Sequence, residues 1–458
     1  MSIPYAQIPG PEPVRNPISM VLMVNHLRSN LLDNLRETFD TYGDVVRFRV
    51  ADQQMVLFRH PDHIREVLVT QSRYFIKDED YTDPNTGLAR WLGNGLLISE
   101  GDFWKKQRKL VAPAFHTQRI AAYADTMVRS TLDRLAHWPA EGKLDIASEM
   151  MHITLQIVAR TLFNTDLEDD VKRIAQAMQT VNDFSGGLHV LPPWVPTPGE
   201  LAARRSRAVL DEIVYRLIAE WRRHGVDNGD LLSMLLLTED ENGERMSDEQ
   251  VRDEAVTLLL AGHETTANAL NWTWLLLSQH PQIEARLHAE LDQVLQGRAP
   301  TLADLRRLPY TEMVVKESMR LYPPAPGVGR IAVEDVEIGG YQVPKGTNVT
   351  AMIYFAHRDP RYWDDPHIFR PERFAPENED KLYKPAYLPF GNGPRICIGN
   401  SFAMMEAQLV LATIAQRYAL AMEPGQPVKP IASITLFPKD GLPMRIRQRQ
   451  NIPQPTVS

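Results

Sequence analysis

The segment from Pro389 to Gly399 restricts the fold of this chain more than any other, because it reads P-F-G-N-G-P-R-I-C-I-G. Its three glycines and two prolines in eleven residues exclude a regular helix and a central strand. An amphipathic pattern follows from Ser401 to Arg417, so Cys397 lies just before a predicted helix N-terminus, where the helix dipole and free N–H groups stabilise a thiolate. The loop therefore predicts a functional thiolate, although a glycine-rich turn with an incidental buried cysteine stays open.

Cysteine count and composition narrow the class of protein. Cys397 is the only cysteine among 458 residues, which excludes an internal disulfide and a zinc site built on several thiolates. With 43% hydrophobic and 24% charged residues, the composition is that of a globular protein with a large core. The formal net charge of -8 argues against nucleic-acid binding by the protein as a whole.

The N-terminal sequence, M-S-I-P-Y-A-Q-I-P-G-P-E-P, has prolines and no basic cluster, so it does not resemble a secretory signal. The apolar run Ile18–Val24 is much shorter than the roughly 20 residues that a membrane span needs. It is better interpreted as the start of an amphipathic helix that reaches Phe39. We therefore expect a soluble, cytoplasmic protein without a membrane anchor.

Periodicity along the chain predicts a mainly α protein with a smaller β portion. Helical spacing dominates from His60 to about Gln296. Strands are predicted at Asp44–Val50, Gln54–Phe58, Val336–Ile338, Tyr341–Val343, Thr347–Met352 and around Ile434–Phe437. No internal repeat or flexible linker is visible, so we expect residues 1–458 to form a single domain.

A long helical pattern from Glu249 to Gln279 contains A-G-H-E-T-T (Ala261–Thr266) at its middle. Glycine inside a helix costs about 1 kcal/mol relative to alanine, and a glutamate there needs a partner or water. The flanking runs V-T-L-L-L and W-T-W-L-L-L favour a buried helix over a helix with a solvent-facing polar stripe. Such breaks of local rules concentrate at functional sites, so this segment is a candidate site.

Two patterns of charge at helical spacing have ordinary explanations when each is taken alone. Glu317 and Arg320 are three residues apart, and such pairs stabilise any helix by a few tenths of a kcal/mol. Trp104 and Arg108 are four residues apart, which is also typical of a solvated basic helix.

Phe390, Gly393, Arg395, Cys397 and Gly399 together form the pattern F-x-x-G-x-R-x-C-x-G, with every fixed position filled. This ten-residue pattern resembles the haem-binding signature of the cytochrome P450 superfamily. The resemblance implies the mainly α-helical cytochrome P450 fold and a haem b whose iron takes the Cys397 thiolate as its axial ligand. Such a thiolate pushes electron density toward the iron and favours cleavage of the O–O bond of dioxygen.

The A-G-H-E-T-T segment resembles the oxygen-activation motif of the same family, which lies in the helix across the distal face of the haem. By that resemblance Glu264 and Thr265 are catalytic: Thr265 would hold dioxygen and its water, and Glu264 would relay protons. Ala261 and Gly262 would lie against the haem, with Gly262 leaving room for the oxygen. His263 is interpreted as a buried structural histidine rather than an iron ligand.

Two further likenesses concern the support of the haem. Glu317, Arg320 and Arg373 (in P-E-R-F) follow the order of the family's E-x-x-R and P-E-R-F elements, which implies a buried network bracing the cysteine loop. Trp104 and Arg108 match the family's W-x-x-x-R helix. The likeness implies that propionate contacts come from a set of four residues, namely Trp104, Arg108, Arg330 and Arg395.

The electron donor is expected to be a separate protein, because the cysteine helix ends close to the C-terminus and leaves no residues for a fused reductase. The outward side chains Lys105, Lys106 and Lys109 would form a positive patch on the thiolate side. Such a patch would suit an acidic donor of the ferredoxin or flavodoxin type.

The reaction implied by the resemblance is insertion of one atom of O2 into a C–H or C=C bond. The expected pocket walls are mainly apolar and lie at Tyr81–Leu97, Val181–Val190, Leu258–Thr265, Ala325–Val328 and Thr435–Phe437. They predict a medium or large hydrophobic substrate, with a fatty acid, a terpenoid or a steroid as candidates.

Three other functions stay open at the level of sequence. A peroxide-driven peroxygenase would be expected to lack the acid–alcohol pair Glu264 and Thr265, which is intact. A non-enzymatic haem gas sensor would normally carry an output domain, and none is visible. A helical scaffold protein without haem would purify colourless.

Overall fold

The computed structural model describes residues 2–12, 30–50, 53–85, 87–163, 168–185, 195, 197–225, 229–240, 242–423 and 425–450. Its α-helices are α1 Leu31–Tyr42, α2 Pro61–Arg65, α3 Glu79–Thr82, α4 Ala89–Leu92, α5 Gly101–Val111, α6 Thr117–Ala122, α7 Ala124–Leu135, α8 Ile146–Phe163, α9 Glu168–Ser185, α10 Pro198–His224, α11 Leu231–Leu237, α12 Asp248–Gln279, α13 Pro281–Leu295, α14 Pro309–Leu321, α15 Ile353–Ala356 and α16 Asn400–Arg417.

The strands are short and make up the smaller part of the fold. They are β1 Val45–Val50, β2 Gln53–Phe58, β3 Phe75–Ile76, β4 Glu141–Asp145, β5 Val328–Ala332, β6 Val336–Ile338, β7 Tyr341–Val343, β8 Asn348–Ala351, β9 Tyr418–Met422, β10 Pro430–Ala432, β11 Leu436–Pro438 and β12 Pro443–Gln448. The predicted mainly α class with a smaller β portion is confirmed. Among the residues that the structure describes, no helix combines the length and apolar character that crossing a bilayer requires.

The chain divides into two units that alternate along the sequence. Unit 1 consists of Met1–Asp78, Lys316–Cys397 and Lys429–Lys439. Unit 2 consists of Glu79–Val315, Ile398–Val428 and Asp440–Ser458.

Unit 1 is built on a five-stranded sheet in the order β1-β2-β8-β5-β3. The predicted hairpin is present, with β1 and β2 antiparallel and Val46 opposite Leu57, while its turn at residues 51–52 lies outside the described residues. Strand β8 joins β2 in parallel, a pairing between distant parts of the chain. The second predicted hairpin, β6–β7, turns through Gly339 and Gly340 at positive φ, as its glycine pair predicts.

The amphipathic helix predicted from Ile18 to Phe39 is not continuous, because its described part begins at Leu31 and the preceding Asn30 is a non-helical N-cap. Residues 13–29 lie outside the described part of the chain. Helix α1 buries Leu32, Leu35 and Phe39 and ends at Tyr42. This burial pattern is the apolar stripe expected of an amphipathic helix.

Unit 2 is organised around α12. Ser247 caps its N-terminus in a capping box with Gln250, which satisfies two of the helix's otherwise unpaired N–H groups. Helix α8 packs along α12, and a Cβ on Gly262 would lie 3.1 Å from Cγ2 of Val158. Strands β4, β12 and β9 form a three-stranded antiparallel sheet in the same unit.

Candidate active site

The cysteine loop in unit 1 is irregular, as its glycines and prolines predict. Gly391 and Gly393 have φ of 70° and 71°, and a Cβ on Gly393 would overlap the carbonyl oxygen of Leu68. The Cys397 N–H donates to the Phe390 carbonyl oxygen at 3.0 Å, which closes the loop. Cys397 itself is exposed, so it is not the buried cysteine of the alternative interpretation.

A buried ion network lies in the same unit. Glu317 and Arg320 are both 0% exposed, and Arg320 donates from Nε to Glu317 Oε2 at 2.7 Å and from Nη2 to Oε1 at 2.8 Å. Arg373 donates from Nε to Glu317 Oε1 at 3.2 Å. The three side chains predicted to meet are therefore brought together, and burial lowers the pKa of Arg373.

His357, to which sequence reasoning gave no role, lies fully buried between this network and the cysteine loop. Its Nε2 accepts the Leu388 N–H at 2.7 Å, and its Nδ1–H donates to the Arg320 carbonyl oxygen at 3.2 Å. Burial lowers the pKa of His357 to about 3, so the imidazole is neutral.

Two buried cations lie on neighbouring strands of unit 1. Arg330 on β5 is 8% exposed, and Lys77, directly after β3, is also 8% exposed. The antiparallel register pairs Ile76 with Ile331, so the next position along the ladder places Lys77 beside Arg330. Buried cations need a counter-charge, and the Asp78 carboxylate lies against Gly329 of β5. Sequence reasoning selected Arg330 and missed Lys77, whose only local signal is a lysine at the end of a short apolar strand.

Helix α12, the central helix of unit 2, is buried along most of its length but has one exposed segment. Every residue of α12 from Val251 to Leu277 is buried except Ala261, which is exposed, and Gly262 and Thr265, which are half-buried. Ala261 and Thr265 are four residues apart, so they lie on one face of the helix. The Thr265 hydroxyl donates to the Ala261 carbonyl oxygen at 2.7 Å.

The remaining motif residues of α12 point elsewhere. His263 is 2% exposed, its Nδ1–H donates to the Leu259 carbonyl oxygen at 2.9 Å, and burial lowers its pKa, as expected of a structural histidine. Glu264 is 7% exposed. The missing side chain of Gly262 makes room for Val158 of α8, which is a different reason for glycine from the one inferred from sequence.

Trp104 and Arg108 lie together on α5, with the guanidinium carbon 5.8 Å from the Trp104 ring centroid. The lysines beside them do not form the uncompensated positive patch that sequence predicted. Lys105 pairs with Asp102 at 2.8 Å, and Lys106 pairs with a second acidic group made up of Asp240 at 2.6 Å and Glu244 at 3.2 Å. Asp102 of the same helix and two carboxylates from elsewhere in the chain therefore compensate two of the three predicted charges.

Comparison with known proteins agrees with this arrangement. The family model described as cytochrome P450 matches residues 9–443. Cyclooctat-9-en-7-ol 5-monooxygenase of Streptomyces melanosporofaciens is 38% identical over 84% of each chain, and pentalenene oxygenase of Streptomyces avermitilis is 34% identical over 90% of this chain and 92% of its own. The crystal structure of the cytochrome P450DA heme domain superposes with a TM-score of 0.85 at 28% identity, covering 98% of this chain and 99% of the other.

The chain belongs to the cytochrome P450 family. This cytochrome P450 is a haem-thiolate monooxygenase. Residues of each unit, taken separately, suit contact with a haem. Unit 1 supplies an exposed thiol at Cys397. Unit 2 supplies an uncovered strip of small side chains in an otherwise buried helix, against which a flat macrocycle can lie.

The P450 carries one further polar cluster in unit 2 that sequence reasoning missed. Arg252 donates to the Trp91 carbonyl oxygen at 3.1 Å, and Asp253 accepts the Asn94 N–H at 2.7 Å. Glu254 accepts the Leu96 N–H at 3.0 Å. Three consecutive residues of α12 thus hold the end of α4 and the loop that follows it. Burial, with the nearby Asp253 adding to the effect, raises the pKa of Glu254 to about 7.

The raised pKa of Glu254 predicts a loss of stability as the pH rises. The folded protein keeps a proton on Glu254 up to a pKa of about 7, whereas the unfolded chain releases it near the ordinary glutamate pKa of 4.5. The contribution is therefore fully favourable below pH 4.5 and is lost as the pH rises to 7, by about 3 kcal/mol in total. Glu254→Gln cannot ionise, so its unfolding free energy relative to wild type should increase from pH 5 to pH 8.

Urea unfolding of both proteins at pH 5, 6, 7 and 8 measures this difference. Glu249→Gln removes an exposed carboxyl group from the same helix and serves as the control. Its pH profile should run parallel to that of the wild type. Parallel profiles for Glu254→Gln and the wild type would contradict the prediction.

Proposed function

We propose that this cytochrome P450 uses haem b, ligated by Cys397, to insert one atom of O2 into a C–H or C=C bond of a hydrophobic substrate. The observation that carries the proposal is the interruption of burial on α12 at Ala261, Gly262 and Thr265. Between Val251 and Leu277, this otherwise buried helix exposes the small side chains and the hydroxyl of the proposed oxygen-activating segment. The exposure of Cys397 also supports the proposal, because an iron ligand must be accessible to the haem.

The cofactor is held, in this proposal, by residues of known burial and charge. Cys397 binds the iron, and the loop positions Phe390, Arg395 and Gly399 define its surroundings. The cations Arg330 and Lys77 of unit 1 bind a propionate, as do Trp104 and Arg108 of unit 2. Guanidinium groups suit this task because they bind carboxylates in a bidentate manner.

The bound haem supplies activation of dioxygen by two electrons and two protons, and the protein directs the protons. Thr265 donates its hydroxyl hydrogen to the Ala261 carbonyl oxygen, so both lone pairs of its Oγ1 are available to accept hydrogen bonds. In this proposal they hold the water through which Glu264, which is 7% exposed, relays protons to the reacting oxygen.

A terpenoid is the substrate class that we propose. The names of two relatives denote an unsaturated alcohol, cyclooctat-9-en-7-ol, and an unsaturated hydrocarbon, pentalenene. The described parts of the expected pocket walls support an apolar ligand, since Trp91, Leu92 and Leu258 are buried apolar side chains. The part of the expected wall within residues 186–190 lies outside the described residues.

We propose a separate ferredoxin- or flavodoxin-type protein as the electron donor. Lys105 and Lys106 are paired with carboxylates, so two of the three lysines expected to attract an acidic donor are compensated. We therefore assign no docking role to these lysines, in contrast to the expectation from sequence.

Replacement of Thr265 by alanine tests the proposed proton path. The variant should consume electrons at a similar rate but form several-fold less product per electron. The reason is that, without the Thr265 hydroxyl, protons are no longer directed to the reacting oxygen. Product and NADH are measured together with a cyclic terpene, first pentalenene, and a surrogate ferredoxin and reductase. Haem content and the carbonyl spectrum should stay as in the wild type.

A matched control exists on the same helix. Thr273 is 0% exposed and makes the same kind of bond, donating to the Ala269 carbonyl oxygen at 2.7 Å. Thr273→Ala should leave the yield of product per electron unchanged. An unchanged yield in Thr265→Ala as well would count against the proposed path.

A further inference from the structure

We propose that His357 is a positioning residue for Cys397: its imidazole holds the backbone that leads into the cysteine loop and thereby keeps the sulfur in place. The inference rests on the proposed function because it takes Cys397 as the haem ligand. His357 is not expected to touch the cofactor, and its effect is carried by the backbone of the loop.

The first argument is the geometry of the imidazole, which bridges two backbone groups of opposite kind. A carbonyl oxygen only accepts and an amide only donates, so the ring carries its hydrogen on Nδ1 toward Arg320 and a lone pair on Nε2 toward Leu388. A protonated ring would set a second N–H against the Leu388 N–H. The tautomer is therefore fixed by the two partners, and the depressed pKa of His357 agrees with a neutral ring.

The second argument is the path from the imidazole to the sulfur. Leu388, whose N–H the ring accepts, is 4% exposed, and its carbonyl oxygen accepts the Gly391 N–H at 3.0 Å. The Phe390 carbonyl oxygen accepts the Cys397 N–H, also at 3.0 Å. Hydrogen bonds thus follow the chain step by step from His357 to the cysteine. Without the histidine, the buried Leu388 N–H would have no acceptor.

The third argument is the anchor on the other side of the ring. Arg320 donates from Nη1 to the His357 carbonyl oxygen at 2.8 Å, so the backbone of His357 is tied to the ion network. The ring also stacks on Tyr387, with centroids 5.4 Å apart. His357 therefore connects the network of Glu317 to the backbone that leads into the cysteine loop.

Amide substitutions separate the two halves of this bridge. In His357→Asn the amide nitrogen can replace Nδ1, but no acceptor reaches the Leu388 N–H. In His357→Gln the amide oxygen can take the place of Nε2 and restore that acceptor. Tyr387→Phe keeps the stacked ring and removes only the hydroxyl, so it is the matched control.

The readout is the absorption of the reduced carbonyl complex of the holoenzyme. The wild type and Tyr387→Phe should keep the strongly red-shifted Soret band that reports thiolate ligation. His357→Asn should convert to the bluer band roughly tenfold faster in mild urea, as expected for the loss of one buried hydrogen bond. His357→Gln should recover most of the wild-type lifetime. Circular dichroism on the same samples shows whether the fold persists when the band changes.

The outcomes separate this inference from the proposed function. Equal lifetimes in His357→Asn and the wild type would overturn the inference. If His357→Asn does not fold, His357→Gln decides: a wild-type lifetime supports the inference, and rapid conversion with native circular dichroism overturns it. Absence of the red-shifted band in the wild type would instead overturn the ligand assignment of Cys397.

Discussion

Replacement of Cys397 by serine is expected to abolish monooxygenase turnover and the red-shifted carbonyl band while leaving the protein folded. Serine keeps the size of the side chain and the Cys397 N–H bond to the Phe390 carbonyl oxygen, so the loop has no steric reason to change. A hydroxyl is not ionised at neutral pH and cannot push electron density toward the iron as a thiolate does. Product formation and the carbonyl spectrum of the reduced protein measure the two losses.

A control for this variant lies a few residues further along the chain. Ser401→Ala removes an exposed side chain at the start of α16 and should leave both the spectrum and the turnover unchanged. Retention of the red-shifted band or of product formation in Cys397→Ser would contradict the assignment of the ligand. Loss of both in Ser401→Ala would show that the region, rather than the thiolate, is sensitive.

Glu317→Gln is expected to lower the free energy of unfolding by about 3–5 kcal/mol, because it leaves two buried guanidinium groups without a counter-charge. Arg320 is 0% exposed and Arg373 is 7% exposed, so water cannot replace the carboxylate. The Glu317 Oε1 also accepts the Arg370 N–H at 3.0 Å, which ties a further backbone segment to the same group. Urea unfolding followed by circular dichroism measures the change.

The same substitution at an exposed pair supplies the control. Glu379 lies 3.9 Å from Lys384, and both side chains are more than half exposed. Glu379→Gln should change the free energy of unfolding by less than about 1 kcal/mol, because exposed ion pairs contribute little. If Glu317→Gln lowered the free energy of unfolding by less than about 1 kcal/mol, Glu317 would not be the required counter-charge of the two buried guanidinium groups.

Features with a purely local cause could be predicted from the sequence. The hairpin β6–β7 was predicted with its observed bounds, because Gly339 and Gly340 both take positive φ. Helix α12 was predicted to begin at Glu249 and begins at Asp248, next to the capping residue Ser247. In both places the signal lies within a few residues of the element that it specifies.

The face of α12 that forms the candidate site could be predicted only in part. A helix buried on nearly all sides has no amphipathic period from which to determine an exposed side. The A-G-H-E-T-T segment could therefore be located along the helix, whereas the exposure of Ala261 and Thr265 required the structure. The tight packing of Gly262 on Val158 likewise could not be predicted from the sequence.

Features that depend on distant parts of the chain could not be predicted. The parallel pairing of β2 with β8 places Met55 opposite Asn348, and no local pattern contains that information. Lys77 becomes a neighbour of Arg330 only through the register of β3 and β5. The compensation of Lys106 by Asp240 depends equally on tertiary structure, and it removes part of the predicted positive patch.

The absorption spectrum of the purified wild-type protein, reduced with dithionite and exposed to carbon monoxide, tests the central claim most directly. Ligation of the haem iron by the thiolate of Cys397 predicts a strongly red-shifted Soret band. A carbonyl band at the ordinary, bluer position in freshly prepared protein would contradict thiolate ligation. Absence of any haem band in protein from cells supplied with a haem precursor would contradict haem binding itself, and with it the role of Cys397 as the iron ligand.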